Sequence, residues 1–345
     1  LTPTAIFKPV IIDGTSVGRA SLHNISIMNN LELKKGCIVN VYKANCIIPQ
    51  VRSSDLSGNE TDSIEAPNTC PICGNDTEIR LSQDTTTKKI VKTLYCTNEN
   101  CKGKLLGKLN HFVSKYAMDI DGLGEAQLSQ FIELGWLQNF VDIYNLPMRK
   151  EIAALDGFGK KSFDKLCKSI ETSRHTTLQK LIYSLSISNI GKDASKKISN
   201  KCKGEYEAFI YLINNKFNWC ELEGIGDVIN QSIYNYFSSS DNKLNFVTLK
   251  ERLEIESKST ETKANSLVSL EGLIFVITGS VNHFKNRDEL KAKVENLNGK
   301  VSGSVSAKTS YLINNDITSN FGKNKDAKAL GVSIITEIQF LEMIK

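Results

Sequence analysis

Four cysteines, Cys70, Cys73, Cys96 and Cys101, constrain this chain more than any other set of residues. They fall as two close pairs, Cys-Pro-Ile-Cys-Gly and Cys-Thr-Asn-Glu-Asn-Cys, separated by a polar stretch with its own turn residues. That spacing can bring four thiolates to the corners of a tetrahedron. Soft sulfur suits Zn²⁺, which asks for no geometry beyond four-coordination, so the expected cofactor is a structural zinc ion. Catalytic zinc needs an open fourth position, and four thiolates leave none. A redox Cys-x-x-Cys usually sits at a strand-to-helix turn, which Thr69 to Gly74 does not resemble. The expected module, residues 66–105, has too little core to be stable alone, so metal binding would supply much of its folding energy.

At 345 residues the chain has material for about two to four domains. Its net charge of +5 permits a polyanionic partner without requiring one. No apolar run approaches the roughly 20 residues of a membrane helix, and the strongest candidate, Leu273 to Ile277, reads as a buried strand. No membrane partner is therefore expected. With no positively charged leader and cleavage site, a cytoplasmic location is expected, associated with the nucleoid if the source is bacterial. Cys37, Cys46, Cys167, Cys202 and Cys220 lack pairing spacings, as reduced thiols would. The chain opens on Leu1, within strand-like sequence, so a piece of a longer protein is expected.

The fold class expected is multidomain α+β. Residues 1–65 alternate apolar and polar with breaks at Asp13-Gly14 and Gly36, the pattern of a small β-barrel. An open Greek-key barrel of the oligonucleotide-binding (OB) kind fits the size. Residues 106–254 read as all-α and carry an internal repeat: Asp-Gly-Leu-Gly124, Asp-Gly-Phe-Gly159, Ser-Asn-Ile-Gly191 and Glu-Gly-Ile-Gly226, at intervals of about 32 to 35 residues. Each copy reads as helix, tight turn, helix. Glycine permits positive φ and close approach of a backbone. The apolar residue between (Leu123, Phe158, Ile190, Ile225) anchors the turn. The free N–H groups opening the next helix then form an anion site that a DNA phosphate can occupy with no base read. Gly122, Gly124, Gly157, Gly159, Gly191, Gly224 and Gly226 are thus candidate DNA-binding residues. The third copy has Asn189 in place of the first glycine and is expected to be mainly structural. Lys192, Lys196, Lys197, Lys201 and Lys203 follow it, either as phosphate contacts or as a solvated face. Residues 255–268 read as a polar linker. Residues 269–345 alternate strand and helix as a small α/β domain with a parallel sheet.

These blocks, in this order, resemble the carboxy-terminal part of bacterial-type NAD-dependent DNA ligases across essentially the whole chain. Leu1 to Ala5, Ala20 to Asn24 and Ala44 to Gln50 resemble that family's OB domain, and Cys70 to Cys101 its zinc finger. Ala117-Met-Asp-Ile-Asp-Gly-Leu-Gly124 resembles the entry to its helix-hairpin-helix domain. Phe275 to Gly279 with Gly299 to Ser306 resembles its BRCT domain. The resemblance implies a whole protein that seals nicks between 3′-hydroxyl and 5′-phosphate in duplex DNA during replication and repair. NAD⁺ would donate AMP and Mg²⁺ would assist. The nucleotidyl lysine of that family sits in Lys-x-Asp-Gly. Here the residues two before Asp13, Asp121 and Asp156 are Ile11, Asp119 and Ala154, so this chain is expected to lack the adenylation site and to be inactive alone.

The resemblance further implies barrel contacts with nicked duplex DNA from Arg19, His23, Asn24 and Lys43, His23 being equally readable as a barrel residue with no DNA role. It also implies a phosphate pocket in the last domain at Thr278, Gly279 and Lys323, where Thr278 has a packing role as its alternative. A monomer is expected, with protein or DNA-end contacts through the BRCT domain. The chain departs from the family pattern at Lys102-Gly-Lys104, where Pro-Ala-Gln is usual, at Cys46, and at Asn298-Gly299, where Gly-Gly is usual. The rival readings are a non-catalytic DNA-binding repair scaffold built from the same modules, and a nuclease or replication-factor subunit. The second predicts carboxylate clusters or a Gly-x-x-x-x-Gly-Lys loop, and the sequence has neither.

Overall fold

A computed structural model describes residues 1–45, 47–55, 64–83, 87–256, 268–320 and 322–344. Most of the expected linker, and Cys46, lie outside the described residues. The chain forms two compact units, Leu1–Lys258 and Ser259–Lys345. No helix among the described residues is long and apolar enough to cross a membrane.

The first unit opens with β1 (Thr4–Ile12) and β2 (Thr15–Ser21), paired antiparallel. Ile12 faces Thr15 across a two-residue loop in which Asp13 and Gly14 have φ of 47° and 73°. Two central residues with positive φ match the right-handed twist of a hairpin, which is why Asp-Gly serves there. Next come α1 (Ile25–Asn30), β3 (Ile38–Ala44) and β4 (Ile48–Asp55), the last two antiparallel. Leu22, Ile25, Met28 and Leu33 form the buried centre of these elements.

The cysteine segment folds as an antiparallel pair, β5 (Thr77–Gln83) and β6 (Ile90–Cys96). It is less independent than its size suggests. Leu94 of β6 belongs to the same buried cluster as Ile25 and Met28. The Leu1 backbone nitrogen donates to the Leu94 carbonyl at 2.6 Å, and the Lys92 N–H donates to the Ser26 hydroxyl at 2.8 Å. The module thus takes part of its core from its neighbour.

The helical region comprises α2 (Lys102–Val113), α3 (Glu125–Glu133), α4 (Lys160–Ser173), β7 (His175–Thr177), α5 (Leu178–Ser184), α6 (Lys192–Lys201), α7 (Tyr206–Asn214), α8 (Asp227–Ser238), α9 (Ser240–Arg252) and β8 (Glu254–Glu256). Strand β8 pairs in parallel with β7. One continuous core holds it together, including Leu109, Phe112, Phe131, Leu166, Ile198, Trp219 and Phe246. The expectation of helix, turn, helix in every copy needs correction. An α-helix precedes the first and third turns, but only short 3₁₀ segments, Lys150–Ala154 and Trp219–Glu221, precede the second and fourth.

The second unit runs β9 (Ile274–Ile277), α10 (Arg287–Asn296), β10 (Lys300–Ser302), β11 (Tyr311–Ile313), α11 (Gly322–Ala329), β12 (Ser333–Ile335) and α12 (Glu337–Met343). Its sheet is parallel, in the order β10-β9-β11-β12. Because side chains alternate along a strand, Phe275, Ile277 and Ile313 pack with Leu290, Val294 and Phe340 on one face. Val276 and Leu312 pack with Ala327 and Val332 on the other. Strand β10 was not legible as a strand, being three residues beside a glycine turn.

Candidate metal centre and nucleic-acid interface

The four cysteine sulfurs all lie within 4.8 Å of one another. Cys70 and Cys101 sulfurs are 3.9 Å apart, and those of Cys73 and Cys96 are 3.5 Å apart. A tetrahedron of Zn–S bonds of about 2.3 Å has edges of about 3.8 Å, so the donor set fits zinc. The first pair sits on a tight knuckle: the Cys70 N–H donates to the Asn75 carbonyl and the Gly74 N–H to that of Cys70, with Gly74 at φ 72°. The backbone N–H groups of Ile72 and Cys73 point at the Cys70 sulfur and hold its thiol down to about 6. The Asn75 N–H likewise lowers Cys73. Burial, with the neighbouring cysteines, pushes the Cys96 thiol up to about 12. Cys101 is the N-cap of α2, so its sulfur stands at the positive end of a helix rooted in the helical core by Leu109 and Phe112.

Gly103 fits this corner. A Cβ there would stand 3.3 Å from Ile72 Cγ1 and 3.6 Å from the Cys101 sulfur. The flanking lysines are tied outward, Lys104 to Glu99 at 2.9 Å and Lys102 to Glu133 at 3.0 Å. The unusual Lys-Gly-Lys thus places small bulk beside the cysteines and ion pairs around them.

The four turns of the helical region share one backbone plan. The first position is left-handed in each: Gly122 at φ 92°, Gly157 at 78°, Asn189 at 65° and Gly224 at 77°. The apolar residue is buried at Leu123, Ile190 and Ile225 and half-buried at Phe158. The last glycine is extended and caps α3, α4, α6 or α8 with no side-chain hydrogen bond. Asn189 is the informative case, because asparagine is the residue after glycine that best tolerates positive φ. The third turn therefore keeps its shape. Its amide also donates to the Ser232 hydroxyl of α8 at 3.1 Å.

The turns are reciprocally paired. Gly122 packs against Leu166 of α4, and Phe158 of the second turn stacks on Phe131 of α3 at 5.7 Å. Asn189 reaches α8, and the fourth turn meets Lys197 of α6, whose ammonium lies 2.7 Å from where a Cβ on Gly224 would be. Charge distinguishes the copies. The helices opened by the first, third and fourth turns carry Glu125, Asp193 or Asp227 in the first turn, whereas α4 begins Lys160-Lys161 and has no acid there. Those two lysines are additions to the expected set, and their position directly after Gly159 was readable.

On the barrel, Arg19 and Lys43 line one open hollow of about 390 Å³ with Thr15, Ser16, Ile47 and Pro49. His23 and Asn24 do not line it. They form the link from β2 to α1, where His23 is exposed at φ 58° and the Asn24 side chain caps the helix by accepting from the Ile27 N–H at 2.9 Å. In the second unit, Thr278 and Gly279 directly follow β9, and Gly279 has φ 75° against the Asn314 side chain. The Asn314 amide donates to Asn324 of α11 at 2.8 Å, next to Lys323. Arg287, not anticipated, donates to the Gly279 carbonyl at 2.8 Å.

Sequence comparison agrees with this architecture. Residues 1–63 match the family described as NAD-dependent DNA ligase OB-fold domain, and residues 269–344 the BRCA1 C Terminus (BRCT) domain. Proteins named DNA ligase align with the entire chain: 44% identical in Lachnoclostridium phytofermentans, 44% in Ruminiclostridium cellulolyticum and 30% in Psychrobacter arcticus. The alignments take in 51%, 50% and 48% of those proteins, so the chain spans about half the length of the curated relatives it matches. With a ligase-type OB-fold domain at residues 1–63, a BRCT domain at residues 269–344 and proteins named DNA ligase aligned throughout, the chain is similar to the carboxy-terminal part of NAD-dependent DNA ligases.

Proposed function

We propose that this chain is the DNA-clamping carboxy-terminal part of a ligase that seals nicks between 3′-hydroxyl and 5′-phosphate in duplex DNA during replication and repair. The observation that carries this reading is the shared plan of the four turns, each presenting the unbonded N–H groups of a helix start beside a bare glycine. Such groups donate to phosphate oxygens without reading bases. The second turn is the strongest anchor, since Lys160 and Lys161 open a helix with no acid in its first turn, whereas the other three carry one. Arg19 and Lys43 give the barrel a second cationic face.

Cys70, Cys73, Cys96 and Cys101 hold zinc in a structural role, fixing β6 and α2 at one point and so joining the barrel's neighbour to the helical region. The adenylation chemistry, with NAD⁺ as AMP donor and Mg²⁺, belongs to the whole protein, because this sequence has no Lys-x-Asp-Gly. The residues here grip and orient the duplex. The whole protein works as a cytoplasmic monomer, and Thr278, Gly279, Arg287 and Lys323 form an anion-accepting corner of the BRCT domain.

The test is binding to nicked and intact duplexes of equal length across a salt series, with zinc and after chelation. Steep salt dependence, little sequence preference and weakening on chelation are expected. Binding that ignores salt would leave the turns with a purely structural role.

A further inference from the structure

The fourth turn is an unfavourable place for a phosphate if only its own residues are counted. Glu223 precedes Gly224 and Asp227 follows Gly226, and both acids are exposed. The compensating charge comes from elsewhere. Of the seven glycines at the four turns, Gly224 alone faces a cation. Gly122 faces Leu166, Gly124 faces the Gln127 amide oxygen, and the other four face open space. The cation is Lys197, 27 residues earlier and in the middle of α6.

Lys197 is held from two sides. Its ammonium pairs with Asp193, one helical turn back, at 2.9 Å, and the lysine side chain is 34% exposed against 81% for the aspartate. The Asn189–Ser232 hydrogen bond ties the turn that opens α6 to α8, beside the contact of Lys197 with the turn that opens α8. A Cβ at Gly224 would stand 2.7 Å from the ammonium and displace it.

We propose that Lys197 is the phosphate-contacting cation of the fourth hairpin, supplied by the helix of the third, and that Asp193 is its positioning residue. This rests on the duplex-binding reading above and deepens it. The third hairpin then serves the interface through its helix rather than through its own turn, where Asp193 occupies the first helical turn. An arriving phosphate takes over the ammonium from Asp193, so the carboxylate both holds Lys197 in place and competes for it.

The experiment is duplex binding of the 345-residue chain as a salt series for the wild type, Lys197→Gln, Lys197→Arg, Asp193→Asn and the Lys197→Gln/Asp193→Asn pair. Asp241→Asn, in the first turn of α9, serves as the charge control. Lys197→Gln is expected to lower the log–log salt slope by about 0.9, one phosphate, which is about eightfold in affinity at 0.1 M salt. Lys197→Arg keeps the slope. Asp193→Asn binds more tightly than the Asp241→Asn control, and the gain vanishes in the double variant. A slope unchanged by Lys197→Gln, with wild-type binding steep in salt, overturns the inference and leaves the clamp reading standing. A gain that persists in the double variant overturns the role of Asp193. Wild-type binding insensitive to salt sinks the clamp reading and this inference together. A merely structural Lys197 would lower the melting temperature while leaving the slope alone.

Discussion

At the scale of single residues, left-handed backbone decides what is replaceable. Asn189 and Asn298 both stand at φ 65°, the first where the other three turns have glycine and the second where Gly-Gly is usual in the family pattern. Asn189→Gly should be tolerated apart from the lost Ser232 contact, whereas Asn189→Val, β-branched at positive φ, is expected to cost about 1–2 kcal/mol in thermal melting. Gly279→Ala is worse placed, since the new Cβ meets both a left-handed φ of 75° and the Asn314 side chain. A loss of about 2 kcal/mol or more from the second unit is expected. Glu337 is the buried charge of that unit. Burial opposes its ionisation, but the Asn315 amide and the N–H groups of Asn282 and His283 outweigh it and hold the carboxyl below the usual range. A depressed folded value means the stabilisation is present above the ordinary carboxylate range and lost as pH falls through the folded value. Stability of the second unit should decline over that acid window, and Glu337→Gln should flatten the decline. An unchanged profile would show that another carboxylate carries it.

At the scale of elements, helix starts carry the function proposed here. The α4 terminus makes the sharpest claim: Lys160→Gln with Lys161→Gln should lower the salt slope by about two and weaken every duplex alike. The equivalent change at the acidic α8 start, Asp227→Asn, should strengthen binding. Effects of opposite sign on DNA binding, the double change being about twice the single one, and none on melting would mark both as surface charges facing the phosphates. Helix α2 makes a different claim. Because Cys101 caps it, Cys101→Ser should lose zinc and also loosen the Lys102–Glu133 corner, visible as faster amide exchange in the first turn of α2. Retained zinc in that variant would mean three thiolates suffice.

At the scale of the whole molecule, two sets of cores imply two melting units. The clusters around Phe112, Ile25 and the cysteines lie in the first unit and those around Phe275 and Leu312 in the second. Chelation is expected to lower the transition of the first unit and leave that of the second in place, as calorimetry can resolve. A single transition shifted as one would show that the units unfold together. Within the first unit the loss should be partial, since Leu94 remains packed against Ile25 and Met28 with the metal gone.

What the sequence determined by itself was whatever depends on local chemistry. The cysteine spacing, the Asp13-Gly14 hairpin, the recurring glycines and the alternation of strand and helix near the end are set by residues close together in the chain. Their signals survive without knowledge of the fold, because φ preference and side-chain period act over a few residues. What only tertiary structure decided was what distant residues do to one another. Leu94 of the cysteine segment helps to bury α1, a distant stretch of the chain. The short starts of the second and fourth hairpins are 3₁₀ because they pack into a shared core, a context that local propensity does not contain. Lys197 lies 27 residues from the glycine it faces, and no pattern along the chain links the two. That pairing exists because α6 and the turn before α8 share one core, and packing is a property of surfaces brought together in space rather than of neighbours in sequence.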